Sequence, residues 1–404
     1  MNRMLPLHGE LPAPDRPSRL AVSRKGFRPF FLVAAGFACA IVPAWLLVLF
    51  GYLRPTARLD AATWHAHEML FGFTVAVIAG FLLTAVGNWT ARETATGPAL
   101  LGLVVVWGLG RVAMLGPGWI PLGVASALDL AFLPLLLVVL ARPLVATGNR
   151  RNFVMVGVLA ALFACNIVVH LEMLGVLIAG AGRHALHVAL DVIVFLSVVI
   201  AGRVIPTFTR NATGQTGIEP IAPLEPLVIV VMLSVIAVDI AAPGTFVAQA
   251  AAGLAAVGVV ARAARWGTLA TARHPLLWIL HAGYAWIAIG LLLRAAPLAG
   301  VAVPSSLATH ALTLGAVGAL TLGMMSRVAL GHTGRPLRAT ATMRAAFALI
   351  TVAALARVVA PILWPSAYGA SLVAAGGAWT LAFALYLVDY LPVLLAPRVD
   401  GKPG

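Results

Sequence analysis

Residues 184–205 read HALHVALDVIVFLSVVIAGRVI. Between His187 and Arg203 the only charged side chain is Asp191, and apolar residues follow one another without the two-residue alternation of a half-buried strand. A helix of about 20 such residues, rising 1.5 Å per residue, matches the ~30 Å hydrocarbon thickness of a bilayer. Barrel strands would alternate in short pieces, so this run reads as a transmembrane helix.

Eleven further runs share this character. The spans predicted from Pro, Gly and Arg punctuation are 30–52, 64–86, 98–115, 119–141, 153–178, 184–205, 223–242, 245–264, 275–297, 306–327, 341–363 and 367–391. Composition agrees: 61% of the 404 residues are apolar and only 10% are charged, well under half of what a soluble domain carries. The expectation is an all-α membrane protein of about twelve helices over residues 30–391, with tails at 1–29 and 392–404.

The net charge of +14 does not read as nucleic-acid binding, because Lys and Arg flank apolar runs. With the N-terminus inside, basic residues favour the cytoplasmic segments by about four to one. The sequence therefore predicts a multi-pass protein of a bacterial plasma membrane, with both termini cytoplasmic. Residues 1–27 contain no apolar stretch of the signal-peptide kind, and the two cysteines, Cys39 and Cys165, supply neither a disulfide framework nor a thiolate metal site.

That topology gives each histidine a depth. His65, His67, His170, His184, His187 and His310 gather on the outer side, while His281 lies in the inner half of its helix. Ionisable residues within a membrane are costly and tend to mark function. Neutral imidazoles at one level suit a haem or a metal such as iron or copper. His184 and His187 share a helix face, with Asp191 one turn on. His65 and His67, two apart, point in different directions. A weak repeat pairs His67 with His310, Gly72 with Gly315, Gly80 with Gly323 and Thr90 with Thr333; a second pairs His65 with His187. An outer histidine on every fourth helix would suit three four-helix units about a pseudo-threefold axis, an architecture resembling the haem-copper oxidases. At the inner helix ends, Arg203, Arg210 and Arg327 are candidates for an anion or a haem propionate.

Several stretches together resemble the NnrS family of membrane proteins. They are Gly26-Phe27-Arg28-Pro29-Phe30-Phe31, Trp64-His65-Ala66-His67-Glu68-Met69-Leu70-Phe71-Gly72, Asn88-Trp89-Thr90, Arg203-Val204-Ile205-Pro206, His281-Ala282-Gly283-Tyr284-Ala285-Trp286 and His310-Ala311-Leu312. The resemblance covers residues from about 26 to 391. It implies a haem- and copper-containing protein linked to denitrification and to protection from nitric oxide. The residues inside its motifs are His65, His67, Glu68, Arg203, His281 and His310; His170 and His187 rest on depth alone. No Cys-x-x-Cys-His occurs, so haem would be non-covalent and b-type, one or two per chain, beside copper or non-haem iron.

The expected function is reduction of nitric oxide to nitrous oxide, with His67, His170, His187 and His310 as metal ligands. Glu68 and Asp191 would be proton carriers, and electrons would come from a separate donor. The alternatives are a haem-based nitric oxide sensor or scavenger, and a transporter of a metal or nitrosyl complex. Ligands gathered at one outer level count against transport, which places its sites near mid-bilayer. Expected partners are nitric oxide and membrane lipids, with no nucleic acid.

Overall fold

The computed structural model describes residues 21–53, 59–116 and 118–402. These form twelve spans long and apolar enough to cross a membrane, with no strand among them. In chain order they are α1 (Phe27–Leu49), α2 (Ala61–Thr90), α3 (Gly97–Met114), α4 (Leu122–Ala146), α5 (Arg150–Met173) and α6 (Ala181–Thr213). They continue with α7 (Leu224–Ala241), α8 (Phe246–Ala263), α9 (Pro275–Ala299), α10 (Ser305–His332), α11 (Ala341–Leu363) and α12 (Pro365–Leu395). The protein is a multi-pass membrane protein. Large apolar side chains such as Val105, Val230, Leu254 and Val388 are more than half exposed, as a lipid-facing surface requires.

Every expected span is present, and the differences lie at the ends. Residues 1–20, and with them Arg3, His8, Arg16 and Arg19, lie outside the described residues, as do Arg54 and Arg58. α2 begins earlier than its hydrophobicity indicates because Asp60 caps it, accepting from the Ala62 and Thr63 amides at 3.0 and 3.1 Å. α6 passes straight through Pro206 and runs on to Thr213. Its 33 residues reach about 50 Å, so its ends project beyond a ~30 Å hydrocarbon core.

The most buried spans are α2, α6, α9 and α10, whose apolar windows are 83, 78, 67 and 67% inside the protein. α2 touches α6, and α6 touches α10, so three of the central helices recur at every fourth position of the chain. Around them α1 packs on α12 and α2, α11 on α12, α5 on α6, and α8 on both α7 and α9. Close approach at Gly202 is obligatory: a Cβ there would meet the Arg262 guanidinium at 1.8 Å. The segments flanking the bundle meet at one end. The Ala21 amide donates to the Leu395 carbonyl at 2.9 Å, and the Val399 amide to Thr333 at 3.1 Å.

α2, α10 and α11 each contain a π-helical segment: Glu68–Thr74, Ala311–Gly318 and Leu355–Val359. Such segments hold one extra residue per turn and commonly accompany functional sites. The first two start one residue after His67 and after His310, the positions paired in the internal repeat. The repeat extends further, since Thr90 donates to Val86 and Thr333 to Ala329, both at 2.7 Å. α6 remains α-helical throughout and does not share this feature.

Candidate metal centre between α2, α3, α4 and α5

The start of α2 is held from both sides. Burial alone would raise the Asp60 carboxyl, but the Thr63 hydroxyl and amide and the Arg183 guanidinium outweigh it and hold it below the usual carboxylate range. The π segment that follows is stabilised by partners for its strained carbonyls. Thr74 Oγ1 donates to Met69 at 2.8 Å, and the Trp107 indole donates to Gly72 at 3.0 Å. The extra residue sets the rotation of the helix start relative to everything below it, and so aims His67.

His67 points into the protein and is fully buried. Its Nδ1 lies 2.9 Å from Glu68 Oε1; its Nε2 lies 3.0 Å from Asn166 Oδ1 and 3.3 Å from Asp129 Oδ2. His170 Nε2 is 2.8 Å from the same Asp129 oxygen, and its Nδ1 is 3.1 Å from Ser126 Oγ. Asn166 Nδ2 donates to Asp129 Oδ2 at 2.8 Å. From α3, Arg111 bridges the two acids, donating to Glu68 Oε1 at 2.7 Å and to Asp129 Oδ1.

Ligand atoms of His67, Asp129 and His170 lie within 4.8 Å of one another, and all three residues are buried. The donor set suits a transition metal. Each imidazole directs Nε2 inward while its Nδ1 is engaged by a carboxylate or a hydroxyl, the arrangement that fixes the tautomer of a metal-ligating histidine. With Nδ1–H given to Glu68, His67 Nε2 carries a lone pair and faces two acceptor oxygens, so a cation between them would satisfy all three. With neutral imidazoles the group sums to −1: two carboxylates against one guanidinium. Glu68 Oε2 is buried and makes no hydrogen bond.

A second constellation uses the other outer histidines. His65 stacks on Trp45, ring centroids 4.1 Å apart, and has a buried Nδ1 without a partner. His310 and Arg357 lie close enough to His65 to act on it electrostatically. His310 Nδ1 lies 2.7 Å from the Ser306 carbonyl, which makes Nδ1 the protonated nitrogen and leaves the Nε2 lone pair for a ligand. Arg357 is buried, and among the described residues its Nε and Nη1 have no hydrogen-bond partner; Nη2 reaches the Tyr368 hydroxyl, at 3.4 Å.

The remaining sequence candidates fall elsewhere. His187 is exposed, its Nδ1 2.9 Å from the Arg183 carbonyl, and it joins neither constellation. Asp191 pairs with Arg294 at 2.6 Å, which also reaches Asp239. His281 has both ring nitrogens taken by hydroxyls, Thr209 at 2.9 Å and Thr268 at 3.0 Å. Arg203 donates to Asn152 and Arg210 to the Ile218 carbonyl, while Arg327 lies 4.0 Å over the Phe208 ring. Arg203 shares a cavity with Phe81 and Trp89 of α2, about 20–30 Å from His67 along that helix, so it stands at the opposite end from His67 and His170.

The family model described as NnrS protein matches residues 21–398. The chain belongs to the NnrS family. No curated protein matches it. NnrS membership fits a nitric-oxide-related metal protein, and the buried His67–Asp129–His170 group is a place where an NnrS protein can hold a metal. Sequence reasoning missed Asp129, Asn166, Ser126 and Arg357. Asp129 is the only acid in α4, and the cost of an ionised group inside a membrane was the signal that singles it out.

Proposed function

We propose that this NnrS-family protein reduces nitric oxide to nitrous oxide at a metal held by His67, Asp129 and His170. His65 and His310 would hold a second centre, haem b in this reading. The observation that carries the proposal is the convergence of two imidazoles and a carboxylate inside the membrane span of an NnrS protein. When bound, copper or iron would supply a redox-active, Lewis-acidic position that takes up nitric oxide and passes electrons to it.

The chain's own residues do the rest. Glu68 and Ser126 hold the two imidazoles in one tautomer, and Asn166 steadies Asp129. Arg111 donates to both carboxylates without occupying the Nε2 face. Conversion of two nitric oxide molecules to one nitrous oxide and one water consumes two protons and two electrons. The unpartnered Oε2 of Glu68 is the atom placed to hold a proton beside the site, and electrons come from a donor outside the chain. At the second centre, the Arg357 guanidinium, which no carboxylate among the described residues neutralises, is the counter-charge for an anionic cofactor group such as a haem propionate. We place the protein in the bacterial plasma membrane with both termini cytoplasmic.

The test is anaerobic consumption of nitric oxide by reduced, purified protein with nitrous oxide measured as product. Sustained turnover that His67→Ala and Asp129→Ala each abolish is the expected result. Uptake that stops at one equivalent per metal would make the protein a sensor or scavenger. Turnover untouched by both substitutions would remove the α2–α5 site from the reaction.

A further inference from the structure

Two adjoining cavities lie at the end of α6 remote from His67, His170 and His187. The larger, about 700 Å³, is walled by α6, α7 and α8 together with Arg151 of α5. The smaller, about 280 Å³, shares Arg151 and Arg203 with it and adds Trp89 and Asn152. Four arginines line the larger cavity, Arg151, Arg203, Arg210 and Arg262, against one acid, Glu225.

That acid is fully used. Arg262 donates Nε to Glu225 at 2.8 Å and Nη2 to its other oxygen, while Nη1 goes to the Val198 carbonyl at 2.8 Å. Among the described residues, no carboxylate pairs with the other three guanidiniums. Arg203 donates to Asn152 Oδ1 at 2.8 Å and, more weakly, to the Arg151 carbonyl at 3.5 Å. Arg210 reaches the Ile218 carbonyl at 3.4 Å, and Arg151 has no carboxylate partner among the described residues. Three like charges around one half-open cavity repel each other, and an anion that joins them relieves the repulsion. Planar guanidinium forks match the oxygens of a phosphate.

The rest of the wall is apolar. Pro226, Ile229 and Val230 of α7 continue from the arginines, and Val230 is 61% exposed on the lipid-facing surface. The cavity is thus cationic at one end and greasy at the other, and α6 is long enough to set Arg210 at headgroup depth. We propose that it binds a phosphate-bearing anion, the headgroup of an anionic phospholipid, with the acyl chains laid along Ile229 and Val230. Basic pockets between helix ends recognise anionic headgroups on this principle. The site is independent of the metal centre.

The experiment is native mass spectrometry of delipidated protein in neutral detergent. It is offered phosphatidylglycerol or phosphatidylcholine at equal concentration, and separately inorganic phosphate or pyrophosphate without lipid. Retention of phosphatidylglycerol over phosphatidylcholine by about tenfold or more is expected. R151Q/R203Q/R210Q should lose that preference, whereas R151K/R203K/R210K and R92Q/R265Q/R273Q should keep most of it. The lysine variant separates loss of charge from loss of fold. Equal retention of the two lipids, or a preference unchanged in the glutamine variant, would overturn the proposal. Pyrophosphate that binds lipid-free protein through the same arginines and displaces the lipid would reassign the cavity to a soluble phosphate.

Discussion

Arg111 and Arg357 occupy comparable places, each on the helix that follows a histidine-bearing helix with a π segment. Their surroundings differ in charge: Arg111 meets two acids, Glu68 and Asp129, and Arg357 meets the Tyr368 hydroxyl. After His67 comes Glu68, which pairs with Arg111; after His310 comes Ala311, and Arg357 has no carboxylate. Removing Arg111 should therefore cost more than packing alone, because Glu68 and Asp129 would be left buried and uncompensated. We expect Arg111→Leu to lower stability by about 3–5 kcal/mol, the usual penalty for breaking a buried pair, and Glu68→Gln on that background to restore part of it. Thermal unfolding followed by tryptophan fluorescence in detergent reads both. A double variant no more stable than the single one would contradict the shared network. At this scale the sequence was partly legible. Depth brought forward His65, His67, His170 and His310, which do converge in pairs. It also brought forward His187, which does not, because depth says nothing of the direction a side chain takes around its helix axis.

That direction is set by the element. The π segments of α2 and α10 rotate the histidine-bearing starts of those helices relative to their lower halves by about one residue, roughly 100°. Deleting Met69 should restore α-helical pitch, keep the span long enough to cross the bilayer, and turn His67 away from Asp129 and His170. The expected outcome is a protein that still inserts but has lost most of its bound metal, as measured by elemental analysis after purification. Metal content equal to the parent would show that the π turn does not aim the ligand. No sequence signal announces these segments. Apolar periodicity over 61–90 is nearly the same for a helix with or without one extra residue, and the tertiary partner Trp107 together with the local Thr74 hydroxyl favours the π form. The start of α2 was equally hidden, since Asp60 acts through a cap and not through hydrophobicity.

For the molecule as a whole, twelve spans were readable because the bilayer leaves backbone polar groups no solvent partner, and so imposes long uninterrupted apolar runs. Which spans are central was less readable. α2 and α6 are as apolar as most other spans and α10 is the least apolar of the twelve, so hydropathy does not single out the centre; burial follows from contacts among helices far apart in sequence. An even number of crossings sets both flanking segments on one face, and the arginine distribution is the ground on which we propose that this face is cytoplasmic. A reporter after Lys402 should therefore read as cytoplasmic, and one inserted between Gly180 and Gly182 as external. The reverse pattern would invert every assignment of depth.

The hydrogen bond from Ala21 to Leu395 has a consequence of another kind. A chain whose flanking segments touch is, for the folded bundle, a closed loop, and the place where it is cut becomes a matter of convenience. Joining residues 21 and 402 with a short Gly/Ser linker and opening the chain at Gly148, between α4 and α5, gives a circular permutant. It keeps every helix, the parity of crossings and both ends on their original face. Such a permutant should insert and retain metal like the parent, as measured by size-exclusion chromatography and elemental analysis. A permutant that reaches the membrane yet loses metal would mean that the order in which helices are delivered helps to assemble the site. In that case α2 would have to be in place before α4 and α5 close around His67.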